Sequence, residues 1–156
     1  MVKAQMAVVI LVVVLAAGWD LRSRRIPNGL VLPALAAGLV LNTISHGAQG
    51  LLASLGGAVL ALLIFGLVYR LGGMGAGDVK LMAAVGALLA LPAAMAALFA
   101  SVAAGGIIAL GAIGWHWMKS ARESAGQPLP LRKISIPYGI AISIGTLWTV
   151  AKGIFS

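Results

Sequence analysis

Two aspartates stand out as the residues whose type and setting could do chemistry. Asp20 lies in "GWDLRSRRIPN" and Asp78 in "GMGAGDVKL", each against an apolar run, in a chain with only three acidic residues and 62% hydrophobic residues. The third acid, Glu123, sits among Lys119 and Arg122 and reads as a solvated loop residue. An ionisable group at membrane depth is costly and is a functional-site candidate that faces a bundle interior or a water-filled cavity. Two carboxylates held close together resist simultaneous ionisation, so one keeps a proton. The ionised member can then take a proton from water while the protonated one donates to a carbonyl oxygen. The titration of such a pair belongs to the pair.

The residues before Asp78 bear on the same chemistry. Gly75 and Gly77 lack Cβ atoms, so the backbone there can be irregular and can let an extended chain approach closely. Irregular backbone at this depth is tolerated only inside protein or facing water, which suits a cleft. The same stretch fits an ordinary glycine loop, Gly72 to Gly77, with Asp78 capping the next helix. Both readings stand on these residues alone.

The elements that position the aspartates follow from composition. A mean hydropathy of +1.09 and a charged fraction of 9% indicate an all-α polytopic membrane protein, since a span takes about 20 residues. Unbroken runs such as "MAVVILVVVLAAGW" argue against a β-barrel, whose lipid-facing strands alternate apolar with polar. The pattern predicts a bundle of about six transmembrane helices, with residues 1–156 as one membrane-embedded domain. The predicted spans are 4–22, 29–45, 50–70, 78–93, 95–118 and 135–153. They are punctuated by "RSRRIPNG", "SHGAQG", "LGGMGAG", a hairpin near Pro92, and a flexible connection over 119–134. Gly56, Gly57, Gly105, Gly106, Gly111 and Gly114 read as close helix packing. Pro33 and Pro137 are expected to bend their helices.

Orientation follows from the basic residues. Arg22, Arg24, Arg25, Arg70, Lys80, Lys119, Arg122, Arg132 and Lys133 fall on one side of this scheme, against Lys3 and Lys152 on the other. Lys and Arg are retained in cytoplasmic loops, so both termini are expected outside. Asp20, ending the first span, and Asp78, starting the fourth, then share one depth at the cytoplasmic face. The charge of +8 is a topology signal and an attraction to anionic lipid headgroups, not a nucleic-acid footprint. The first apolar segment reads as a retained span, because the basic cluster behind it resists translocation. Having no cysteine, the chain has neither disulfides nor thiolate metal sites, and no metal is expected. His46 is expected in an outer loop, and His116, between Trp115 and Trp117, at an interfacial anchor.

"GAGDVKL" after "RLGGM", together with "DLRSRRIPN" and "IPYG", resembles the type IV prepilin peptidases, membrane aspartic proteases of the GxGD class. The resemblance implies that Asp20 and Asp78 are the catalytic pair and that Gly75 and Gly77 are the glycines of GxGD. Arg25, Ile26, Pro27 and Asn28 fall on its "RIPN" segment, with Lys80 and Pro137 in supporting positions. It further implies hydrolysis after a short basic leader, just before the hydrophobic segment of a prepilin or pseudopilin, at the cytoplasmic membrane face and without a cofactor. Larger members carry an N-terminal region with paired cysteines and methylate the new terminus; without cysteine, methyl transfer is not expected here. "IPYGIAISIG" in place of "PFGP" and the short length resemble the peptidases of tight-adherence (Flp) pili or the archaeal preflagellin enzymes. Presenilin-like enzymes share GxGD, yet they have a Tyr before the first aspartate where this chain has Trp19. A proton-coupled transporter or channel is the alternative from another class; it would place the carboxylates near mid-membrane on an aqueous path. A structural assembly subunit is the third.

Overall fold

A computed structural model describes residues 3–23, 26–72, 74–123 and 138–155. They form five α-helices: α1 (Lys3–Ser23), α2 (Asn28–Arg70), α3 (Ala76–Leu89), α4 (Ala93–Glu123) and α5 (Tyr138–Phe155). Among the described residues three stretches are long and apolar enough to cross a membrane, Gln5–Ser23, Asn28–Arg70 and Ala93–Gly111. The sequence separated 29–45 from 50–70, whereas the chain stays helical up to and just beyond Gly47, giving five helices instead of six. Only Gly47 leaves the helical region inside α2, with φ 59° and ψ −142°, a conformation that glycine adopts without a Cβ penalty.

The chain doubles back at Gly47. Gly50 lies directly against the carbonyl of Asn42, although eight residues of straight helix would separate them by roughly 12 Å. The two arms then flank α3 in opposite directions. Along the first, Ile26 lies beside Gly77, and Gly38 beside Ala87 and Leu88. Along the second, the Leu91 amide donates to Ala53 O at 3.2 Å while Gly57 meets Gly86. The break in α2 therefore belongs to Gly47 and not to Pro33. His46 ends the first arm in helical conformation, and Glu123 ends α4; neither is in a loop. The hairpin expected near Pro92 is present: Ala90 has φ 55° and the Leu91–Pro92 bond is cis. The 124–134 part of the expected connection lies outside the described residues.

At the centre stands α3. Every residue from Leu81 to Ala90 is buried, and α3 touches each of the other four helices. Exposed apolar side chains such as Leu11, Leu32, Ile44, Leu63 and Ile107 point away from this core, as a lipid-facing surface requires. With 14 residues, α3 is about 21 Å long, shorter than a hydrocarbon core of about 30 Å. Its last carbonyls therefore end in protein and need donors.

Side chains from two neighbours supply them. Asn42 Nδ2 donates to Ala87 O at 2.9 Å and Leu88 O at 3.3 Å, and Ser54 Oγ donates to Ala87 O at 2.6 Å. Gln5 Nε2 donates to Leu88 O and, at 2.9 Å, to Asn42 Oδ1. Removing one member leaves buried carbonyls unmet, at a cost of about 1–3 kcal/mol. Asn42→Leu is expected to lower the unfolding temperature in detergent accordingly, while Ser45→Ala, on an exposed position of the same arm, leaves it unchanged.

Candidate active site

Asp20 occupies the last turn of α1 and is only 7% exposed. Its Oδ2 accepts the backbone N–H of Gly139 at 3.1 Å, 119 positions further along the chain. Gly139 is the second residue of α5, so the carboxylate faces the donor end of that helix. Asp78 is the third residue of α3 and reaches back so that its Oδ2 accepts the Gly75 N–H at 3.2 Å. Each carboxylate thus lies against the N-terminal end of a helix, α5 for Asp20 and α3 for Asp78, where unpaired N–H groups favour negative charge.

These two carboxylates line one cavity of about 310 Å³, together with Ile26, Asn28, Gly75, Ala76, Gly77 and Lys80. The Lys80 ammonium donates to Asn28 Oδ1 at 3.2 Å, joining α3 to the start of α2 across the wall. The plain capping role and the cleft role of "GMGAGD" therefore coexist: Asp78 caps α3 and also faces the cavity. Gly75 has φ −82° and ψ 150°, a conformation open to any residue, so its value here is space. A Cβ on Gly75 would lie 3.1 Å from Asp78 Oδ2 and crowd the cap, while one on Gly77 would meet Ile26 at 3.4 Å, ordinary contact. Among the described residues of this loop the positive φ falls instead on Gly72, at 77°.

Of the residues singled out in the sequence, Asp20, Asp78, Gly75, Gly77, Lys80 and Asn28 come together around the cavity. Pro27 precedes α2 as its N-cap with φ −71°, which the pyrrolidine ring fixes in advance. Arg25 and Pro137 lie outside the described residues. Gly139 was missed; the signal was the glycine of "IPYG" at the head of the last apolar segment. A second cavity, about 330 Å³, lies at the far end of α3 against Gln5, Asn42, His46 and Gln49 and has no aspartate or glutamate in its wall. Of the small-residue positions, Gly57 packs tightly on α3 and Gly105 faces the Tyr138 ring, whereas a Cβ built on Gly106, Gly111 or Gly114 meets none of the described residues within 4 Å.

The family described as the type IV leader peptidase family matches residues 7–110, a span that holds both aspartates and the glycine loop. The prepilin leader peptidase/N-methyltransferase of Bacillus subtilis (strain 168) is 31% identical over 126 residues, covering 79% of this chain and 48% of the relative. The chain therefore spans about half the length of the curated relative it matches. No solved structure matches the chain.

Proposed function

The chain belongs to the type IV leader peptidase family, and on that premise we propose that it is an aspartic endopeptidase that removes the basic leader from prepilin or pseudopilin substrates. One observation carries the chemical part of this reading: Asp20 of α1 and Asp78 of α3 share the wall of a single cavity. In the proposed reaction one carboxylate, ionised, takes a proton from a bound water as its oxygen attacks the scissile carbonyl carbon. The other donates its proton to the carbonyl oxygen. Collapse of the tetrahedral species breaks the C–N bond, and the departing amine takes up the proton the first carboxylate acquired. The products are the leader carboxylate and the new amino terminus.

The remaining features fit a substrate entering from the membrane edge. The loop before α2 and the glycine loop before α3 both border the cavity, and Gly75 and Gly77 leave room for an extended backbone. We place this end at the cytoplasmic face of the inner membrane, with both termini outside, because nine of the eleven basic residues fall on that side of the span scheme. The two arms of α2 count separately in that scheme, giving six crossings. Against the transporter alternative, both aspartates stand at one end of α3, and the cavity at its far end has no aspartate or glutamate in its wall. Methyl transfer is left out of the proposal because the sequence has no cysteine.

The test is cleavage by the full chain reconstituted in liposomes, using a prepilin with its leader as substrate and mass spectrometry to map the ends. The expected result is one cut at the boundary between the leader and the hydrophobic segment, with a product amine carrying no added methyl mass. An intact substrate after prolonged incubation with folded protein overturns the proposal.

A further inference from the structure

We infer that Gly139 is the positioning residue for Asp20: its backbone N–H, at the head of α5, fixes the carboxylate in the cavity wall, and only a residue without a side chain leaves room for it there. The inference rests on the peptidase reading above and adds to it the element that holds one half of the aspartate pair.

Three observations carry it. The Gly139 N–H donates to Asp20 Oδ2 at 3.1 Å in a buried setting. A Cβ on Gly139 would lie 2.7 Å from that same oxygen and 3.0 Å from both Asp20 Cβ and Cγ, so any side chain displaces the carboxylate. The second turn of α5 is also fastened to α1: Ser143 Oγ, itself buried, lies 2.7 Å from Gly139 O and 2.8 Å from Val13 O. One hydroxyl proton thereby serves a carbonyl on each helix as a three-centre bond, two turns before Asp20. On its other side, the head of α5 is seated on α4 through the Tyr138 ring, which lies 3.5 Å from a Cβ built on Gly105.

The two aspartates differ in what this implies. Asp78 draws its amide donor from three residues away on its own helix and is oriented as soon as α3 forms. Asp20 takes a donor from a helix that arrives last in the sequence, so the docking of α5 against α1 contributes to its orientation. Docking of α5 thus completes the site. A displacement of about 1 Å at a reacting group costs on the order of 10²-fold in rate, the effect expected when a methyl group occupies the space of Asp20.

The experiment combines kinetics with a spectroscopic readout. In full-length protein labelled with ¹⁵N-glycine in lipid nanodiscs, the Gly139 amide is identified by its loss in Gly139→Ala. It is expected to be protected from hydrogen exchange, to lose that protection in Asp20→Ala and to keep it in Asp78→Ala. In the cleavage assay Gly139→Ala should lower kcat by about 10²-fold with KM within about threefold. Ser143→Ala should give a smaller loss, and Ser143→Thr, which keeps the hydroxyl, should restore most of it. A wild-type chain that cleaves while a folded Gly139→Ala matches it overturns the positioning role alone, as does an amide indifferent to Asp20→Ala. A wild-type chain that cleaves nothing overturns the peptidase reading and this role with it.

Discussion

Asp20→Asn and Asp78→Asn are each expected to reduce prepilin cleavage by about 10³–10⁴-fold, close to the full contribution of a positioned acid or base. Asparagine keeps the shape of the side chain, and its carbonyl oxygen can still accept the Gly139 or Gly75 amide that the carboxylate accepts in the wild type. What it loses is the ability to take or give a proton. Helix content and unfolding temperature should therefore stay near wild type while turnover collapses, separating proton transfer from positioning. Because the two carboxylates act on one water, the double variant should be no slower than the worse of the singles. Progress curves of leader release, measured beside thermal unfolding of the same preparations, decide this. Either single variant turning over at the wild-type rate refutes the assignment and leaves the aspartates as caps for α3 and partners for α5.

How far the sequence foretold this site depended on whether the signal was local. Apolar runs ended by "RSRRIPNG" and "LGGMGAG" located α1 and the start of α3 to within a few residues, because membrane spans are set by length and composition. Pro92 marked the turn before α4. The joining of Asn28 to Arg70 was less legible. "SHGAQG" looks like a loop, yet a single positive-φ glycine at Gly47 reverses the chain with helix on both sides. Long-range pairings left no periodic trace at all. Gln5, Asn42 and Ser54 are isolated polar residues in three apolar stretches, and only the folded chain shows that they meet at the carbonyls ending α3. The dependence of Asp20 on Gly139 spans most of the chain, and within "IPYG" the proline drew the eye because ring constraints are readable from one residue. A glycine kept free for another helix's carboxylate is readable only from two.

Gly86→Leu is expected to be the most damaging substitution in the core, lowering stability by about 3 kcal/mol, the upper end of overpacking costs. Gly57 on the second arm of α2 and Gly86 on α3 face each other backbone to backbone, each occupying the place where the other's side chain would stand. A Cβ on Gly86 would touch the Gly57 carbonyl and stand 3.2 Å from the Ala58 nitrogen, and neither belongs to a flexible group that can swing aside. In a bilayer, where lipid tails are as apolar as the side chains, helices associate through such close contact instead of through expulsion of water. Separating these backbones loosens the helix that every other helix touches. Asp78 lies eight residues earlier on α3, so a Gly86→Leu protein that still folds should also lose cleavage, although residue 86 is about 12 Å along the helix from the aspartate. Gly66→Leu is the control, since a built Cβ there meets nothing within 4 Å. That change trades a poor helix former for a good one and should leave stability and turnover unchanged or slightly raised. Equal unfolding temperatures for the two leucine variants would show that α2 and α3 can part at no cost, and then their contact could not be what holds Asp78 in place.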